Sequence, residues 1–135
     1  MDNSTLWASW YLRGPTHSAY FSGDTGYGPH FAAIKDRLGA VELALIKIGA
    51  YGEPWLDIHM DPESAVQAHV DLGAITLLPV HWATFNLAYH AWDEPILRTL
   101  AAASVQGVHV VTPKVGERVA FGLPFENSDW YRRPH

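Results

Sequence analysis

Cysteine is absent from the 135 residues. No disulfide framework, thiol nucleophile or Cys-ligated zinc can therefore form. Basic residues are scarce: 9 Lys and Arg stand against 14 Asp and Glu, for a net charge of −5. Without a Lys/Arg stripe to neutralise phosphates, nucleic acid is not expected as a partner. The first residues carry an acid at Asp2 and no basic segment followed by an apolar core, so they do not read as a secretory signal. One run, Leu72–Trp92, has 21 residues free of Asp, Glu, Lys and Arg, which is long enough to span a bilayer. Pro79, His81, Thr84, Asn86 and His90 make it too polar for a spanning helix, and a strand running into a loop explains it better. The expected location is the cytoplasm, with peripheral membrane association left open.

What is present is enough for one folded domain, since domains run to about 100–150 residues. Hydrophobic residues make up 48% of the chain, and that with the modest charge excludes intrinsic disorder. Eight histidines are many for this length and point to metal or acid–base chemistry.

Two β-like runs, Leu6–Leu12 and Ala19–Ser22, flank the turn-forming Arg13-Gly14-Pro15-Thr16-His17 and predict a hairpin. Gly28-Pro29 then precedes Phe31, Ile34 and Leu38 at helical spacing, with Gly39 as the stop. Leu43–Ile48 reads as a strand buried on both faces, and Gly49–Met60 as a loop. Asp61 as cap and Pro62 at the first helical position open a second helix, closed by Gly73. Ile75–Val80 is another strand, Asp93 and Pro95 open a helix through Ala102 that Gly107 ends, and Val108–Val111 is the last strand. The order β-β-α-β-α-β-α-β predicts an α/β fold with a parallel sheet and right-handed crossovers. From Thr112 the chain turns polar, and residues 125–135 are expected to form a loose aromatic-bearing tail.

In open α/β sheets functional groups collect beyond the carboxyl ends of the strands. Asp24, inside Gly23-Asp24-Thr25-Gly26, follows the second strand; His81 follows Ile75–Val80; His59 lies in the loop after Leu43–Ile48. One carboxylate and two imidazoles are plausible donors for zinc or a similar metal. Each also has a plainer reading: Asp24 as a turn residue, His81 as a hydrogen-bonded strand end, His59 as a partner for free helix N–H groups. His30 is placed at the same mouth, and Trp55 and Trp82 beside the candidate ligands as pocket walls. His69 reads as packed or superficial; His17, His90, His109 and His135 read as turn, loop or strand residues.

Four blocks then carry a resemblance. They are Tyr20-Phe21-Ser22-Gly23-Asp24-Thr25-Gly26-Tyr27, Leu43-Ala44-Leu45-Ile46 with Ile48-Gly49-Ala50-Tyr51, His59-Met60-Asp61-Pro62-Glu63-Ser64-Ala65-Val66, and Pro79-Val80-His81-Trp82-Ala83-Thr84-Phe85. In this order they resemble the metallo-β-lactamase-fold hydrolases, and most closely the N-acylphosphatidylethanolamine-hydrolysing phospholipase D branch with its bacterial relatives. The resemblance implies that Asp24 bridges metal ions, that His81 is a terminal metal ligand and that His59 serves catalysis or substrate binding. Tyr27, His30, Tyr51, Trp55 and Trp82 fall to the substrate pocket. The implied reaction is hydrolysis of a phosphodiester or related ester by metal-bound hydroxide, on a small-molecule or lipid substrate. The implied cofactor is zinc, one or two ions, with manganese and iron as alternatives.

The family's HxHxDH motif, which supplies most metal ligands, is not among these 135 residues. The expectation is therefore half of an αββα sandwich, the C-terminal half, needing a complementing N-terminal half for activity. The sheet face that half would cover predicts self-association when left bare. The competing readings are a non-catalytic remnant or oligomeric half-domain without metal, and a peripheral lipid-binding module using Trp55, Trp82, Trp130 and Tyr131.

Overall fold

The computed structural model describes residues 7–132. The elements are β1 (Trp10–Arg13), β2 (Ser18–Phe21), α1 (His30–Leu38), β3 (Leu43–Lys47), a single 3-10 turn (Glu53–Trp55), α2 (Pro62–Leu72), β4 (Thr76–Val80), α3 (Glu94–Gln106) and β5 (His109–Val110). One five-stranded sheet runs β1-β2-β3-β4-β5. The first pair is antiparallel and the other three are parallel. This is the α/β order expected from the sequence.

The strand order follows the chain, so every parallel crossover moves in the same direction. Right-handed crossovers then place all three helices on one face of the sheet, and α2 packs between α1 and α3. Tyr20, Ala44, Ile46, Leu77 and Val110 point to that side and are buried with Phe31, Val66, Leu72 and Ile96. The opposite face carries Leu43, Leu45 and Leu78, which are only half-buried. The expectation that Leu43–Ile48 is buried on both faces is thus corrected for its first half, where Leu43 and Leu45 are half-open, while Ile46, Lys47 and Ile48 are buried in succession.

Local chemistry sets the element ends. The Asp61 carboxylate accepts the Ser64 N–H at 2.8 Å and Pro62 starts α2, while Gly73 ends it in a left-handed conformation. Pro79 sits in a central strand without breaking it. Leu77 turns its carbonyl to Val111 and Val80 turns its own to Ile48, so Pro79 directs its missing N–H toward β5, beyond that strand's end. α3 runs past the expected Ala102 to Gln106, since Ala101–Ala103 are strong helix formers and the first stop is Gly107. Consequently Val108 bonds back to Ala103, and β5 is shorter than the expected Val108–Val111.

β1 begins at Trp10 rather than Leu6; Leu6 itself, and residues 133–135 of the tail, lie outside the described residues. The described part of the tail has no regular structure yet is anchored. Asn127 accepts from Thr112 and donates to Val110, Trp130 donates to the Thr112 carbonyl, and Tyr131 is buried against the core. Among the described residues no helix is long and apolar enough to cross a membrane.

Candidate metal centre

The carboxyl ends of β2, β3 and β4 open on one edge of the sheet, and each delivers a loop there. After β2 the chain turns through Gly23, and the Ser22 hydroxyl, itself buried, accepts the Lys47 N–H and donates to the Gly23 carbonyl. Two main-chain bonds stitch this turn to the loop after β3: Gly26 N–H to Asp57 at 3.0 Å and Met60 N–H to Thr25 at 3.1 Å. The chains approach so closely that a β-carbon on Gly26 would run into the Asp57 main chain. Asp24 and His59 meet as a result.

The Asp24 carboxylate lies between two imidazoles. Its Oδ2 is 3.4 Å from His59 Nε2 and its Oδ1 is 3.5 Å from His81 Nε2. The two rings stand edge to face with centroids 5.0 Å apart. All three residues offer a donor atom within 4.8 Å of the others, and the cluster is half-open to solvent.

These donors suit a cation. His59 Nδ1 lies 2.8 Å from the Ala50 carbonyl, which can only accept, so Nδ1 carries a proton and Nε2 is the nitrogen that faces Asp24. Nε2 and a carboxylate oxygen at this separation can share a cation between them. Two bonds of about 2.0–2.1 Å at a tetrahedral angle hold their donors about 3.4 Å apart, the separation seen here. The Nδ1–carbonyl contact also fixes the ring orientation, as second partners of metal-binding histidines do. Backbone strain gathers at the same place: Ala50, His81 and Ala83 are three of the four non-glycine residues with positive φ among the described residues.

Sequence reasoning missed Lys47 beneath this cluster. Its side chain is 1% exposed and its Nζ donates to the Met60 carbonyl at 3.0 Å. Burial pushes its pKa down to about 8, against the opposing pull of Asp24 and Asp61. The available signal was one lysine inside an otherwise apolar strand.

The remaining candidates divide. A cleft of about 260 Å³ opens beside His81, walled by Trp82, Phe85, Leu87, His90, Trp92 and Pro95 among others. Trp82 is fixed there by its Nε1–H bond to Pro79 and by stacking on Trp130 at 5.1 Å. Trp55 donates to the Ala50 carbonyl and borders a smaller hollow with His59. His30 shares a hollow with Asp24, Trp7 and Tyr20, and partial burial lowers its pKa. Tyr51 is buried; its hydroxyl donates to Glu94 at 2.5 Å, and burial first and this carboxylate second push its pKa up to about 12. Tyr27 is not gathered in: its hydroxyl donates to Asp71 on α2 at 2.6 Å, away from Asp24.

Comparison with known proteins gives this geometry a context. A family model described as a beta-lactamase superfamily domain matches residues 1–82. An uncharacterized protein of Mycobacterium tuberculosis (strain H37Rv) is 50% identical over 133 residues, covering 96% of this chain and 36% of that protein. The N-acyl-phosphatidylethanolamine-hydrolyzing phospholipase D 1 of Caenorhabditis elegans is 32% identical over 123 residues, 85% of this chain and 35% of its own. A metallo hydrolase of the archaeon Ignicoccus hospitalis superposes with a TM-score of 0.62 at 26% identity, covering 81% of this chain and 43% of that one. The chain thus spans roughly a third of the curated relatives it matches. Its sheet, its three converging donors and these matches lead to one conclusion: the chain belongs to the metallo-β-lactamase superfamily of hydrolase folds, close to the N-acylphosphatidylethanolamine-hydrolysing phospholipases D.

Proposed function

We propose that this chain forms one wall of a metal-dependent hydrolase centre acting on a phosphodiester or related ester, in the manner of a phospholipase D. Asp24 and His81 hold metal, and His59 serves the same site as a third donor or as a group that meets substrate. The observation that carries this is the Asp24 carboxylate held between His59 Nε2 and His81 Nε2, three donors within 4.8 Å of one another. A bound zinc ion, or manganese or iron in its place, lowers the pKa of water and holds charge that develops on oxygen. The chain's own residues orient the reaction. Asp24 offers a separate oxygen to each histidine, Lys47 secures the Met60 carbonyl next to His59, and the apolar cleft beside His81 receives the organic part of the substrate.

Two or three protein donors make an open site, one that takes further ligands from elsewhere. The half-open sheet face beside β3 and β4 is where a complementing half of the sandwich would pack. The lipid phosphodiester reading is supported by the likeness to the nematode phospholipase D and by the apolar cleft.

The deciding experiment is metal content after zinc loading and desalting, beside Asp24→Ala. About one or more zinc per chain, lost in Asp24→Ala, is expected. No retained zinc in either protein would overturn the metal centre and leave the non-catalytic half-domain.

A further inference from the structure

We propose that His90 is a positioning residue for His59, acting through the main chain of Ala50. Only the zinc readout below rests on the metal-centre reading; the rest does not.

The hydrogen bonds around His90 fix its tautomer. Its Nδ1 lies 3.0 Å from the Ala91 carbonyl, which can only accept, so Nδ1 carries the proton. Its Nε2 is then a bare acceptor, and it takes the Ala50 N–H at 3.1 Å from 40 residues away in sequence. Both contacts are met by one neutral tautomer.

Ala50 needs that support. Its φ of 56° is left-handed, a conformation an L-residue keeps only when its surroundings hold it. On one side of this torsion the N–H is held by His90. On the other the carbonyl accepts from His59 Nδ1 and from Trp55 Nε1, each at 2.8 Å. The direction of that carbonyl decides which His59 nitrogen is protonated and where the ring points. His90 thereby sets His59 without touching it.

His90 is held in turn. Its ring stacks on Tyr51 with centroids 4.4 Å apart and planes 14° from parallel. Tyr51 is anchored by Glu94, and the Arg98 guanidinium lies 4.8 Å from the Tyr51 ring centre. Arg98 also grips Glu63 through two hydrogen bonds, of 2.9 and 2.5 Å. The starts of α2 and α3 therefore support the loop that carries His59. His90 also forms part of the cleft wall beside His81, so one side chain links cleft and centre.

Two substitutions separate hydrogen bonding from packing. His90→Phe keeps a flat ring on Tyr51 but has no acceptor for Ala50. His90→Gln loses the ring but brings an amide oxygen to the place of Nε2. The readouts are the nitrogen-resolved imidazole spectrum of His59 in the metal-free chain and zinc affinity by competition with a chelating dye. Native protein is expected to show His59 with Nδ1 protonated and hydrogen-bonded to the Ala50 carbonyl. His90→Phe is expected to mix the two tautomers and to weaken zinc by about 10–100-fold, the usual effect of losing an outer partner. His90→Gln is expected to restore both.

A plain packing role predicts the reverse order, with Phe native-like and Gln impaired, and that result would overturn the proposal. An unchanged His59 spectrum in His90→Phe would do the same. A chain that holds no zinc yet shows the tautomer change in His90→Phe would defeat the metal-centre reading and leave the role of His90 standing.

Discussion

Gly49 packs so tightly under His81 that a β-carbon on it would lie 2.2 Å from the His81 carbonyl oxygen. The obstacle is main chain, with the His81 carbonyl carbon and Trp82 Cα each 3.2 Å from the same point. His81 itself is left-handed, with φ 62°, so it has little freedom to retreat. Gly49→Ala is expected to displace His81 from Asp24 and to destabilise the fold by about 1–3 kcal/mol, the range for overpacking a close-packed site. Urea unfolding and zinc retention measured on the same protein would check this. A variant with native stability and native zinc content would show that the loop yields easily and that the close approach has no consequence for the site.

His69 is a buried imidazole outside the Asp24 cluster. It lies on the inner side of α2, is 3% exposed, and its Nδ1 has no hydrogen-bond partner among the described residues. Burial first, and the nearby His109 second, push its pKa down to about 4 from 6.5. Between those values the unfolded chain binds a proton that the folded chain refuses. Stability is therefore complete above pH 6.5 and falls as pH drops toward 4, by about 3 kcal/mol in all. His69→Leu should flatten that part of the profile. Chemical denaturation of both proteins from pH 7 to 4 in the presence of a chelator measures the difference; parallel profiles would remove His69 as the cause.

How much of this was legible beforehand depended on range. Asp61, Pro62 and Gly73 announce α2 through contacts within a turn or two, and the structure keeps all three in those places. Asp24 and His81 fall at strand ends because a strand's end is a local property of the sequence. Lys47 was missed since its burial depends on what the loops after β2 and β3 place above it. His90 was read as an ordinary loop residue because its partner Ala50 is 40 positions away. Trp130 and Tyr131 gave no periodic signal, and their contacts with Trp82, with the Trp130 bond to the Thr112 carbonyl, show why that part of the tail is ordered.

Lys47 makes its own pH dependence. Its pKa falls from 10.5 to about 8 in the fold, chiefly through burial. Below pH 8 the ammonium is charged both folded and unfolded, and the cost of burying it is fully present. Between about pH 8 and 10.5 the unfolded chain holds the extra proton, so stability rises with pH, by up to about 3 kcal/mol. Lys47→Met removes that rise while leaving the Met60 carbonyl without its donor, which costs about 1–3 kcal/mol in itself. Comparing urea midpoints of the two proteins at pH 7.5, 9 and 10 isolates the lysine from the tyrosines that titrate in both. Curves that stay parallel would mean that Lys47 keeps its proton throughout.

The sheet has two unlike faces, and substitutions should tell them apart. Leu77 on β4 is fully buried against the helices, and truncating a leucine in such a place costs about 2–5 kcal/mol. Phe21, Trp10 and Leu12 lie on the other side in register across β1 and β2, with Phe21 41%, Trp10 61% and Leu12 59% exposed. Together with half-buried Leu43, Leu45 and Leu78 they form an apolar surface of the kind that drives association. Leu77→Ala is therefore expected to lower the unfolding midpoint at every protein concentration. Phe21→Lys is expected to leave that midpoint nearly unchanged and to shift the chain toward monomer in sedimentation velocity across a concentration series. A chain that sediments as monomer at all concentrations, with or without the lysine, would show that this face is stable in water as it stands.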